Sequence, residues 1–145
     1  MTPRQKTNAK GRYIMKIAKR MFESQGAWVE VARNNVRWFP KKTGGGVFPL
    51  SMRHDFFGIW DAIVVYPKGR KRSQRIFIQV TDVGNMSHRR EKIVASGFPV
   101  SPHDLLLGYR GRSWFRVLHG PDFQGEAEDW KAPKTPPQKK RLEAA

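Results

Sequence analysis

Two β-rich apolar runs, GIWDAIVVY at 58–66 and RIFIQVT at 75–81, stand either side of one basic segment, PKGRKRSQ. Runs of Val, Ile, Phe and Tyr this close together, with turn-formers between them, read as a β-hairpin with a strongly basic turn. The rest of the chain must be arranged around that pair, because the two runs have to be buried together. Each is also interrupted by polar side chains: Asp61 near the start of the first, Gln79 and Thr81 near the end of the second.

The flanking sequence supplies the other layers. Ile14, Ile17, Ala18 and Met21 recur at i, i+3, i+4 and i+7, which predicts a helix over 11–25 that stops at Gly26. AWVEVAR at 27–33 alternates as a strand. Residues 34–53, with PKKTGGG, read as a mobile basic loop or flap. MSHRREKIVASG at 86–97 predicts a short helix with Ser87 as N-cap and Gly97 beyond its end. DLLLGYRGRSWFRVLHG at 104–120 divides at RGR into two strands. Residues 1–9 are expected to be a flexible basic arm, and the Pro- and Lys-rich stretch from 121 to 145 a disordered tail. The expected fold is α/β: one domain over 10–120, with a mixed central sheet of about five strands and a helix on each face.

Charge limits the partners. Lys and Arg number 28 against 12 Asp and Glu, a formal charge of +16. Such a field favours a polyanion, since each neutralised phosphate releases condensed counterions. No stretch joins basic residues to a long apolar face, which argues against a membrane-surface protein. No apolar run is long enough to span a bilayer, and the basic N-terminus leads into no apolar segment, so a cytoplasmic protein is expected. There is no cysteine, so any metal must sit on oxygen or imidazole. The four histidines show no metal-ligand spacing, and no nucleotide-binding or nucleophile-elbow motif is present.

Between residues 31 and 90 the acidic side chains are Asp55, Asp61 and Asp82. A carboxylate inside an apolar run is costly unless it is paired, hydrogen-bonded or metal-bound. If the two runs pair, Asp61 and Gln79 can offer oxygens to one hard cation, with the Val80 carbonyl as a third ligand. Mg²⁺, or Mn²⁺, suits so sparse a set because it keeps several waters and also binds phosphate. The competing reading gives Asp61 a turn-capping role or a partner in Arg75, and makes Gln79 an ordinary strand residue.

A first helix, then GIWDAIVV, FIQVT and a basic helix, resembles the PD-(D/E)xK nuclease superfamily, in particular small archaeal-type Holliday junction resolvases and related phage endonucleases. The resemblance covers about residues 11–118. It implies a restriction-endonuclease-like fold and a divalent metal on Asp61. Gln79 matches the first position of the family's E-x-K triplet, and Thr81 matches its lysine. Met15 falls where the resolvases carry a helix glutamate. Threonine cannot place a positive charge near a developing oxyanion. Lys92, Arg89 or Arg90 on the second helix could replace that cation, and Asp55 (given a bend at Gly58), Asp82, Glu23 or Glu30 could replace the carboxylate.

The implied function is metal-dependent hydrolysis of phosphodiester bonds in branched DNA. A homodimer would offer two sites to two strands, in a bacterial, archaeal or phage-infected cell. Lys41, Lys42, Arg53, Lys68, Arg70, Lys71, Arg72, Arg89 and Arg90 are the candidate phosphate contacts. Two other readings stand beside it: a catalytically degenerate nuclease-fold protein that binds DNA or a DNA-processing partner, and an RNA-binding or ribosome-associated protein. Trp38, Phe39, Trp60, Trp114 and Phe115 are candidate base-stacking residues, with core packing the better expectation for most.

Overall fold

The computed structural model of the chain describes residues 3–53, 55–67 and 75–134. Its centre is the expected antiparallel pair, β4 (Ala62–Val65) and β5 (Arg75–Asp82), in the register Ala62 to Ile78 and Val65 to Arg75. Residues 68–74, which hold Lys68, Arg70, Lys71 and Arg72, lie outside the described residues. β1 (Trp28–Val31) joins the outer side of β4. On the other side come β6 (Leu105–Gly111), β7 (Trp114–His119) and β8 (Glu128–Lys131). The six strands run β1-β4-β5-β6-β7-β8, and of these pairs only β5 and β6 are parallel. A parallel pair needs a crossover, supplied by a 3-10 turn at Val83–Asn85 and helix α2 (Met86–Ala95). The fold is thus α/β with one mixed sheet.

Each face carries one helix. On α1 (Pro3–Ser24), the stripe Ile14, Ile17, Ala18, Met21 and Phe22 is buried against Ala62, Val64, Ile76, Ile78, Leu105, Leu107 and Val117. On the opposite face Met86 and Ile93 of α2 pack with Ile59, Trp60, Leu106 and Phe123. Gly108 on β6 makes that contact possible, since a Cβ there would collide with the Met86 side chain. Gly26 and Gly97 follow the two helices at φ 83° and 74°, left-handed positions that glycine adopts at low cost.

Four sequence expectations differ from the structure. α1 reaches back to Pro3 through residues assigned to a flexible arm, because proline suits a first helical turn and the polar residues after it do not interrupt a helix. The 34–53 loop is a hairpin, β2 (Asn34–Pro40) paired with β3 (Val47–Arg53). It lacks the one-sided apolar alternation that reveals a half-buried strand. Ser87 lies inside α2; its N-cap residue is Asn85, and Asp82 caps the preceding 3-10 turn. The tail begins later than 121, because β8 adds itself to β7. β8 is polar outward, yet its Trp130 ring meets Phe22 edge-on at 6.2 Å. Residues 135–145 lie outside the described residues.

Candidate metal centre and nucleic-acid surface

Asp61 sits at the bend where the chain enters β4. Its N–H donates to the Ile78 carbonyl (3.0 Å), and its own carbonyl accepts from Ala32 N–H (2.8 Å). The carboxylate Oδ2 accepts from Val80 N–H at 2.8 Å. The side chain therefore lies against the Gln79–Val80 peptide, meeting its N–H. It is only 3% exposed, and the Val80 N–H bond is one contact that makes a charge here tolerable.

Gln79 and Thr81 are buried too, and they alternate with Ile78 and Val80, which pack on the α1 core. They therefore project to the face covered by α2. Thr81 stands opposite Gly108 in the parallel pairing, beside the position taken by Met86.

The bend needed to bring Asp55 near Asp61 exists. Phe56 and Trp60 close a tight turn, each N–H donating to the other's carbonyl at 2.9 and 3.0 Å, and Gly58 N–H donates to the Asp55 carbonyl. Asp55 and Asp61 thus occupy the two ends of one turn. Phe57 at its tip has φ 55°, an uncommon conformation for an aromatic residue. Its ring rests on Phe77 and Phe98 at 5.8 and 5.4 Å, a contact that offsets the strain.

The other carboxylate candidates are placed less favourably. Asp82 Oδ1 accepts from Asn85 N–H, Oδ2 accepts from Asn85 Nδ2, and Lys10 Nζ lies 3.6 Å away. Its carboxylate is committed to starting the crossover. Met15 is core, Glu23 pairs with Lys19 at 3.7 Å, and Glu30 is exposed on β1 opposite Ile63. On α2, Arg90 donates from Nε to the Asp122 carbonyl at 3.0 Å, so it ties the segment after β7 to the helix. Arg89 is half-buried, and Lys92 is exposed on the flank away from Arg90. Among the described residues no three of His, Asp and Glu gather as a metal-binding group. The donor set present is one fixed carboxylate, a second at the turn end, and an amide. That chemistry fits a single hard divalent cation with waters completing its shell.

Sequence reasoning missed Asp104. It is 3% exposed, and both its oxygens are used: Oδ1 accepts from Phe77 N–H (2.9 Å), Oδ2 from Ser101 N–H (2.8 Å). Two buried aspartates thus hold main-chain donors of the same strand, β5. The shared signal is an Asp directly before an apolar strand, Asp61 before AIVV and Asp104 before LLL. Asp104→Ala would leave two N–H groups unsatisfied, and we expect a loss of about 2–4 kcal/mol in urea unfolding. A loss below about 0.5 kcal/mol, the size of an ordinary surface change, would show that this carboxylate holds nothing.

The basic surface is spread over several elements. Lys41 and Lys42 are exposed at the tip of the β2–β3 hairpin, and Lys6, Lys10, Arg12, Lys16 and Lys19 are exposed along α1. The Arg53 side chain lies outside the described residues. Of the five candidate stacking aromatics only Trp60 and Phe115 are fully buried core; Phe39 is half-buried, and Trp38 (65%) and Trp114 (39%) are exposed, so core packing accounts for fewer of them than expected. No helix among the described residues is long and apolar enough to cross a membrane. No family model, curated protein or solved structure matches the chain.

Proposed function

We propose that the chain is a metal-dependent endonuclease of the PD-(D/E)xK type that hydrolyses phosphodiester bonds in branched DNA, acting in the cytoplasm as a homodimer. The observation that carries this reading is the Asp61 carboxylate held against the Gln79–Val80 peptide in a chain of charge +16. Asp61 and the Gln79 amide oxygen would hold Mg²⁺ or Mn²⁺, with Asp55 and the Val80 carbonyl as further oxygen donors. A bound cation of this kind supplies Lewis-acid stabilisation of charge on phosphate oxygens. The chain's own part is to fix the carboxylate through Val80, to hold the DNA backbone with Lys41, Lys42 and Arg89, and to supply from Lys92 the positive charge that Thr81 lacks.

Incubation with four-way junction, duplex and single-stranded DNA, in Mg²⁺, Mn²⁺ or EDTA, tests the reading. Nicking that requires metal and favours the junction is the expected result. Intact products at protein concentrations that saturate binding would overturn it. A second reading, a nuclease-fold protein that binds DNA without cutting, is favoured by Thr81 in the lysine position. The Val80–Asp61 hydrogen bond also gives the carboxylate a structural role in that case. Tight, salt-sensitive binding without cleavage would select it.

A further inference from the structure

Among the described residues, the β2–β3 hairpin forms a two-stranded sheet of its own, and neither strand belongs to the six-stranded sheet. A lone two-stranded hairpin is marginally stable in water, and one that exposes aromatic residues usually meets something else. The cross-strand register puts Trp38 with Pro49 on one face and Phe39 with Phe48 on the other. Trp38 is 65% exposed, Val47 56% and Phe48 39%, and the Phe39 and Phe48 rings lie 6.2 Å apart. Neither face is therefore a conventional polar outer face.

Charge and position decide what the hairpin fits. From residue 31 to 54 the chain has no acidic side chain, while it carries Arg33, Arg37, Lys41, Lys42 and Arg53. Lys41 and Lys42 are exposed beside the Gly44–Gly46 tip, which Lys41 N–H closes onto the Gly46 carbonyl at 3.0 Å. A second copy of the hairpin would bring like charges together, whereas a nucleic-acid strand neutralises them. The hairpin leaves the sheet at Ala32, whose N–H donates to Asp61, and the chain returns at Asp55. At about 3.4 Å per residue, its seven-residue strands make an arm roughly 20 Å long, rooted beside Asp61. An aromatic side chain on such an arm can stack on a base only where the base is already unstacked.

We infer that the hairpin 34–53 is an arm that binds unpaired nucleotides beside the Asp61 centre, stacking a base on Trp38 and holding the backbone with Lys41 and Lys42. This rests on the nucleic-acid reading above and extends it to branched substrates that carry an unpaired segment beside the branch.

The test uses fluorescence anisotropy of the full chain in EDTA, with labelled single-stranded DNA, the matched RNA, a forked DNA and a blunt duplex. Trp38→Ala is expected to weaken single-strand and fork binding about tenfold and duplex binding less than about threefold, as loss of one base stack would. Trp38→Phe should recover most of the difference. Lys41→Ala with Lys42→Ala should weaken all probes and lower the salt slope by about two. Equal affinity of Trp38→Ala and the parent for single strands and forks would overturn the arm while leaving DNA binding intact. So would a loss of self-association in sedimentation, which would make a second copy the occupant. If the parent binds none of the probes, the proposed function fails with it. The DNA and RNA arms separate the two possible sources of the unpaired strand.

Discussion

Replacing Asp61 with asparagine is expected to leave the fold intact and to abolish metal-dependent cleavage. The amide oxygen of asparagine can still accept the Val80 N–H bond, so the junction between β4 and β5 keeps its main-chain partner. A neutral amide is, however, a poor ligand for a hard cation, and the centre would lose its one fixed charge. Removal of a single charge-stabilising group in a preorganised site costs on the order of 10²–10³ in rate. Cleavage of a four-way junction in Mg²⁺ should therefore fall at least about a hundredfold, with Tm little changed. Asp61→Ala should lose the same activity and also about 1–3 kcal/mol of stability, because Val80 N–H is then left buried without an acceptor. The pair of variants separates the two roles of this residue. Undiminished cutting by the asparagine variant would move the chemistry elsewhere. If the parent does not cut at all, only the alanine variant should differ from it, and only in stability.

The second large effect is structural. Trp60 is fully buried, stacked on Phe77 at 5.7 Å and edge-on to Phe98 and Phe123 at 5.6 and 6.5 Å. Truncation to alanine empties the centre of the α2-side core, and such changes cost about 3–5 kcal/mol. That is a large part of the roughly 5–15 kcal/mol by which a domain of this size is stable. The Trp60 Nε1 is buried with no hydrogen-bond partner among the described residues. Phenylalanine would remove that unpaired donor while keeping a ring, so Trp60→Phe should cost less than half as much as alanine. Trp60 also closes the turn that leads into Asp61, through its main-chain bonds to Phe56. Alanine keeps those bonds but loses the ring that pins the turn on Phe77, so the variant should lose cleavage at temperatures where it is still largely folded. Guanidinium unfolding with an unchanged m-value would measure the first effect. A cost below about 1 kcal/mol would show that this aromatic cluster is not the second core.

The parts of the molecule legible from the chain share one property: their pattern reports burial on one side. The α1 stripe, the β4 and β5 runs, and the division of 104–120 at RGR were readable because apolar periodicity is imposed by a core. The hairpin at 34–53 and strand β8 were not. Their pairing rests on main-chain hydrogen bonds, which leave no side-chain period, and neither buries a continuous apolar face. Polar composition concealed β8, although the ion pair of Asp129 with Arg110 (3.0 Å) accounts for part of that polarity.

At the candidate centre the division is sharper. The sequence by itself determined that a carboxylate would stand at one central strand and an amide in its neighbour, because those residues belong to runs that have to pair; that Asp61 sits at a bend before β4, and not within the strand, came from the structure. It also determined the chain's cationic field, which is a sum over residues and independent of their arrangement. Only the tertiary structure decided that Asp61 meets the peptide after Gln79, that Asp82 is committed to a cap, and that Arg90 is tied to the Asp122 carbonyl. Those outcomes depend on register and on where the main chain leaves donors without partners. Pairing across the sheet settles both, and no local pattern encodes either.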